Sequence, residues 1–237
     1  MTEAPTLTHP QPTYSEAPEA LMPRCLYDSF GMNPRIVRFY LAEKGIDVPR
    51  QEVDVLGAEN RRADHLERNP AGQLPTLELS DGTFIAETAA IVEYLEELHP
   101  EPPLIGSTPK ERAITRMWWR RVEIGICRPM VLGFYYSEAI DLFTSRFKCY
   151  PEQGDAQKEI ARAGMRWLDG IMNEPWLAGN RFTVADICLY CYIDQLRDVG
   201  QAIPDDLRQL NAWFERVGER PGAEPSVWRE RPMGMRG

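Results

Sequence analysis

The stretch "NPAGQLPTLELSDGTFIAETAAIVEYL", residues 69–95, decides the fold. Leu74-Pro75 opens an apolar run. Proline has no N–H to give a ladder, so it belongs at the start or edge of a strand. A cis bond at this position turns the preceding backbone outward. The amide and carbonyl of Leu74 can then pair with an extended, peptide-like ligand. Ser80-Asp81-Gly82 separates two apolar runs, and Asp-Gly in that setting is a strong hairpin signal. Glu87-Thr88 sits where a strand hands over to a helix. Thr88 is a candidate N-cap, and the free N–H groups of the helix start attract a carboxylate. Glu87 beside it can neutralise an ammonium, and Gln73 can donate to a second carboxylate. Together these groups would grip an amino acid's α-carboxylate and α-amine. In the plainer reading Thr88 only caps and Pro75 only shapes a turn. Each feature alone favours that reading; all three at this spacing do not.

Upstream, "CLYDSFGMNPRIVRFYLAEKG", residues 25–45, reads as a buried strand, a loop and a helix. Ile36, Val37, Tyr40 and Leu41 fall at helical spacing. Pro34 suits a first helical turn and Gly45 a C-cap. "DVPRQEVDVL" (47–56) reads as a second strand and "GAENRRADHLERN" (57–69) as a short polar helix or loop. "TAAIVEYLEELH" (88–99) is a helix with Ala89, Ile91, Val92 and Leu95 toward a core. The order is β-α-β-(α)-β-β-α.

Residues 100–111, "PEPPLIGSTPKE", carry four prolines and a glycine and mark a linker. Beyond it every apolar segment has the helical period, including one long run over 112–143. The expected organisation is a disordered leader (1–24), a thioredoxin-like α/β domain (25–99), the linker (100–111), an all-α domain (112–221) and a loose C-terminal tail (222–237).

Composition narrows the function. At 237 residues and 43% hydrophobic content the chain can build a substantial core. A net charge of −9 gives no footprint for nucleic acid or an anionic membrane surface. No apolar run reaches the length of a transmembrane helix, and the first residues lack the pattern of a secretory signal. Five scattered cysteines, an odd number, suit reduced thiols in the cytoplasm. Cys188 and Cys191 form a CxxC inside the apolar run "VADICLYCYIDQL", where two core cysteines are the better reading. His9, His65 and His99 are far apart, so no metal site is expected.

The residues quoted resemble those of the cytosolic glutathione transferases, over about residues 25–221. Asn69-Pro70, Gly72-Gln73-Leu74-Pro75 and Glu87-Thr88 match the glutathione-binding half, with Thr in place of the family's usual Ser. "LAEKG" in the first helix and "WLAGNRFTVADI" (176–187) extend the match. In the latter, Thr183 and Asp186 stand three apart and form a capping box that serves folding. The resemblance implies glutathione as co-substrate, no metal and a homodimer. It places the γ-glutamyl end at Glu87 and Thr88, the cysteinyl residue on the Leu74 backbone before Pro75, and the glycyl carboxylate at Gln73 and Asn60. Asn60 is the weakest of these: on an exposed polar helix the solvated reading is the better one.

The chemistry needs a thiolate. Lowering a thiol pKa by about two units takes roughly 2.7 kcal/mol of differential stabilisation. A donor and a helix N-terminus aimed at sulfur supply it, and the loop 29–34 is the place. The usual serine falls on Gly31 here. Asn33 aligns with an asparagine carried by some plant-type and bacterial Nu-type members. Its amide can donate but cannot act as a base, and capping the helix before Pro34 is an equal alternative. Ser29 is the nearest hydroxyl. In the helical domain Trp118, Trp119, Arg121, Arg128, Phe134 and Tyr135 could wall an acceptor site for flat electrophiles with an anionic group, although each singly reads better as core or dimer interface.

The leading expectation is a glutathione transferase acting on a small hydrophobic electrophile. The alternatives are a glutathione-dependent disulfide reductase or ether-cleaving enzyme, and a non-catalytic glutathione-fold binding or scaffold protein.

Overall fold

The computed structural model describes residues 19–228. Strands β1 (Pro23–Asp28), β2 (Arg50–Glu52), β3 (Thr76–Leu79) and β4 (Phe84–Ala86) form one mixed sheet in the order β2-β1-β3-β4. β1 runs parallel to β2 and antiparallel to β3; β3 pairs antiparallel with β4 across the Asp81-Gly82 turn. Helix α1 (Met32–Lys44) makes the β1–β2 crossover, α2 (Ala63–Arg68) precedes β3, and α3 (Thr88–Leu98) follows β4. This is the thioredoxin-like arrangement. The second strand is shorter than the run 47–56, because Asp54 turns the chain. Its Oδ1 accepts from Gly57 N at 2.8 Å and its carbonyl from Glu59 N at 2.9 Å. In α3, Ile91, Val92 and Leu95 are buried as their spacing predicts, whereas Ala89 is exposed.

The rest of the chain is helical: α4 (Pro109–Val122), α5 (Arg128–Tyr135), the four-residue α6 (Ile140–Phe143), α7 (Gly154–Ile171), α8 (Val184–Leu196) and α9 (Arg208–Gly218). The run 112–143 is therefore not one helix. Between α4 and α5 the chain widens into a π-helical turn, Glu123–Cys127. Pro129 lacks the N–H that would bond the Gly125 carbonyl, and a wide turn absorbs that loss. The Gly125 carbonyl packs against α7 at Gly164, where an added Cβ would lie 2.4 Å from it.

Helix α8 is buried along its whole length and forms the axis of the helical unit. Cys188 and Cys191 are core residues, and burial pushes the Cys191 thiol up to about 12. Asp186 gathers four donors: Leu177 N and Trp213 Nε1, both at 2.9 Å from Oδ1, with Thr183 N at 2.9 Å and Thr183 Oγ1 at 3.1 Å from Oδ2. This is the capping box read in the sequence, extended to a tryptophan on α9. Against the donors, complete burial pushes the Asp186 carboxyl up to about 6.

Three segment limits differ from expectation. Residues 21–24 belong to the sheet unit: Ser80 N donates to Met22 O at 3.0 Å, and β1 begins at Pro23. The first 18 residues of the expected leader lie outside the described residues. Within 100–111, Leu104 and Ile105 are buried, and Ile105 N donates to Glu96 Oε1 at 2.7 Å. Residues 222–228 are packed onto α1 rather than loose. Gly222 N donates to Glu43 Oε1 at 2.8 Å, the Ser226 carbonyl accepts from Arg38 Nε at 2.8 Å, and Ser226 Oγ accepts from Arg35 Nε at 3.2 Å. Residues 229–237 lie outside the described residues.

Candidate active site

A cavity of about 690 Å³ opens between the sheet unit and the helical unit. It collects Ser29, Asn33, Asn60, Gln73, Leu74, Glu87 and Thr88, leaving out only Pro75 of the residues expected to bind or activate glutathione.

The loop before α1 is anchored from behind. Arg38 Nη1 donates to Asp28 Oδ1 at 2.7 Å and to the Ser29 carbonyl at 2.8 Å. Ser29 is 3% exposed and its hydroxyl donates to the Phe30 carbonyl at 3.1 Å, so it is already engaged. Gly31 occupies the N-cap with φ 135°, a conformation side-chain-bearing residues rarely adopt. A serine would be strained in this backbone conformation. Asn33 is therefore not the cap. It lies in the first turn of α1 and is exposed to the cavity. Its Oδ1 accepts from Tyr192 Oη of α8 at 2.9 Å.

The Leu74–Pro75 bond is cis. Leu74 makes no backbone hydrogen bond among the described residues, so its N–H and C=O remain available. The preceding carbonyl, on Gln73, is fixed by Asn69 Nδ2 at 2.9 Å, with His65 Nε2 at 3.2 Å. The Gln73 side chain itself is exposed. Asn60 departs from expectation: it is buried, and its Nδ2 donates to the Gly72 carbonyl at 2.7 Å. It shapes the turn before Gln73, and its Oδ1 has no partner. The cations beside it are Arg61 and, from the helical unit, Arg146. Arg61 Nη1 donates to Ala71 O at 3.1 Å, and Arg146 Nη2 to Val55 O at 2.5 Å. Burial, then the charge of Arg61, lower the Arg146 pKa.

Thr88 is the first residue of α3, not its cap. The cap position belongs to Glu87, at φ 69° and ψ 122°, whose carbonyl accepts from Ile91 N at 3.0 Å. Few side-chain-bearing residues hold such a backbone, and strain of this kind concentrates at binding sites. The Glu87 carboxylate is exposed and makes no ion pair among the described residues.

Opposite, Trp119, Arg128, Phe134 and Tyr135 line the cavity, with Phe143, Phe147, Tyr192 and Gln195. Trp118 and Arg121 do not. Trp118 pairs with Trp167 of α7 at 6.3 Å between ring centroids, and the Arg121 guanidinium covers Trp118 at 5.0 Å. Gln195 is 1% exposed and its Oε1 has no partner. Among the described residues no three His, Cys, Asp or Glu side chains converge to hold a metal ion, and no helix is long and apolar enough to cross a membrane.

Residues 32–98 match the family of glutathione S-transferase N-terminal domains, and residues 130–221 that of the C-terminal domains. Glutathione S-transferase 2 of Saccharomyces cerevisiae is 31% identical over 208 residues, covering 84% of this chain and 87% of that protein. The crystal structure of Gtt2 from the same yeast superposes with a TM-score of 0.79 at 31% identity, covering 85% of this chain and 99% of the other. A glutathione S-transferase domain-containing protein of Marinobacter aquaeolei is 39% identical, also at TM-score 0.79, covering 84% and 99%.

Proposed function

The chain belongs to the glutathione transferase family and is a glutathione transferase; from that premise we propose which of its residues hold the thiol substrate and activate it. The observation that carries the reading is the Asn33 amide. It stands in the first turn of α1 and faces the cavity shared by Leu74 and Glu87.

The γ-glutamyl end sits at Glu87 and the start of α3. Glu87 takes the ammonium, and the free N–H groups and hydroxyl of Thr88 take the carboxylate. The cysteinyl residue pairs with the Leu74 N–H and C=O as a short added strand. Gln73 holds the glycyl carboxylate together with Arg61 and Arg146, which replace Asn60 in that role. Two guanidiniums that repel one another gain from an anion between them.

Sulfur then lies at the mouth of α1. Asn33 Nδ2 donates to the thiolate, and the helix N-terminus adds positive potential. The thiol proton leaves to water, since an amide takes none. The thiolate forms a bond to an electrophilic carbon, and the leaving group departs with its electron pair. The wall of Trp119, Phe134, Tyr135 and Phe143 receives a flat, apolar acceptor. Ser29 has no part in this step, because its hydroxyl is committed to the backbone. The loop holds no cysteine for a mixed disulfide, and Cys25 is not among the cavity residues. A homodimer in the cytoplasm completes the reading; sedimentation of the purified protein tests its first half.

Calorimetric titration with glutathione and an absorbance titration of the bound thiol test the assignment. Glu87→Ala is expected to weaken glutathione binding at least tenfold, and Asn33→Ala to raise the bound thiol pKa with binding kept at about pH 5, where the thiol is protonated. Unchanged binding in the first variant, or an unchanged pKa in the second, removes that residue from the mechanism.

A further inference from the structure

We propose that Tyr192 is a positioning residue for the reaction: its hydroxyl, from the helical unit, fixes the Asn33 carboxamide so that the NH₂ group faces the sulfur. The inference rests on the assignment of the thiolate to Asn33.

A primary amide is two-faced. Turned one way it offers two N–H donors to an anion; turned over, it offers an oxygen and repels it. At the cavity wall Asn33 is exposed, and its side chain makes one hydrogen bond among the described residues, to Tyr192 Oη at 2.9 Å. That bond decides which face is shown. With Oδ1 accepting from the hydroxyl, Nδ2 points away from Tyr192. Tyr192 is 8% exposed and lines the same cavity. Burial, reinforced by Cys188, Cys127, Tyr135 and Glu123, holds its phenol well above the ordinary value, so the hydroxyl keeps its proton.

The distance between the two residues is fixed by an independent contact. Two residues further along each helix, Arg35 Nη1 and Asp194 Oδ2 meet at 2.7 Å, and both side chains are at most 2% exposed. This buried pair clamps α1 to α8 beside the amide–hydroxyl bond. The activating group thus comes from the sheet unit and its orientation from the helical unit. Tyr192 acts through Asn33, to which its hydroxyl donates.

The test compares wild type, Asn33→Ala, Tyr192→Phe and the double variant, each with glutathione bound. The readouts are the absorbance titration of the thiolate, glutathione affinity, and the pH profile of kcat/KM with a chloro-nitroaromatic acceptor. Tyr192→Phe is expected to raise the bound thiol pKa by about one unit, a tenfold loss of thiolate at acidic pH. Its kcat/KM should fall by a similar factor at pH 6 and rejoin wild type near pH 9, where the thiol ionises unaided. Glutathione affinity at about pH 5, where the bound thiol is still protonated, should be unchanged, and the double variant should match Asn33→Ala. A role in packing alone would depress the rate equally at every pH. If Asn33→Ala shifts the titration and Tyr192→Phe does not, or shifts it downward, the positioning role is overturned while Asn33 keeps its own. If Asn33→Ala leaves the titration unmoved, the thiolate assignment falls and Tyr192 falls with it.

Discussion

Arg38 and Asp28 meet at 2.7 Å behind the active-site loop, with both side chains at most 2% exposed. Desolvation works against each charge: it lowers the Arg38 pKa and raises that of Asp28. The pair as a whole is therefore worth little net stability, but a lone survivor is an uncompensated buried charge. Arg38→Met is expected to cost about 3–5 kcal/mol in urea unfolding. It also frees the Ser29 carbonyl and should weaken glutathione binding. The double variant Arg38→Met/Asp28→Leu should regain most of the stability. A double variant no better than the single one would show that the pair contributes more than its desolvation costs.

Glu87 is expected to trade stability for glutathione binding. Its positive φ costs of the order of 1–3 kcal/mol in a residue with a side chain, and glycine would carry no such cost. Glu87→Gly is expected to raise the unfolding midpoint while lowering glutathione affinity at least tenfold. A variant that loses both stability and affinity would show the backbone there to be unstrained.

Asp186 gives stability a pH dependence of unusual sign for a carboxylate. Its folded pKa of about 6 lies above the ordinary 3.8, so the folded state binds the proton more tightly. The contribution is fully present below the unfolded pKa and is lost as pH rises through about 6. Across that window it amounts to roughly 3 kcal/mol. The stability difference between wild type and Asp186→Asn should shrink by about that much between pH 4 and pH 7. A constant difference would mean that the four donors hold the carboxyl ionised throughout.

Gly164 has no room for a methyl group. An added Cβ would lie 2.4 Å from the Gly125 carbonyl and 2.9 Å from Ile126 Cγ1. Backbone cannot yield as a flexible side chain does, so Gly164→Ala should cost about 1–3 kcal/mol despite its better helix propensity. Because the strain falls on the π-helical turn, KM for the acceptor should change more than that for glutathione.

Much of the sheet unit was legible because its signals are local. Asp81-Gly82 must turn, Pro75 must start a strand, and Pro34 and Gly45 bracket α1 whatever surrounds them. The capping box at Thr183 and Asp186 is likewise a matter of spacing. Thr88 and Asn33 were misplaced by one or two positions as caps, because the backbone of Glu87 and Gly31 sets the helix start and no side-chain rule encodes it. Asn60 looked solvated because its polar neighbours gave no sign that it folds under Gly72. Tyr192 and Arg146 reach the site across 159 and 91 residues of chain, to Asn33 and Val55. No local pattern marks such contacts; in the sequence Tyr192 is one more apolar position of a buried helix. The stretch 222–228 looked loose for its proline and glycine, yet its order comes from two arginines of α1 that need acceptors.

The wide turn at Glu123–Cys127 also sets helical phase. An α-helix rotates about 100° per residue, so the extra residue held there turns everything after it by about that angle. Arg128, Val131 and Tyr135 face the cavity in the rotated frame. Removing one residue from this turn would let the helix close up and rotate that wall by about 100°, while Leu74, Glu87 and Asn33 stayed where they are. The acceptor side can thus be dialled by a one-residue insertion or deletion, independently of the thiol side.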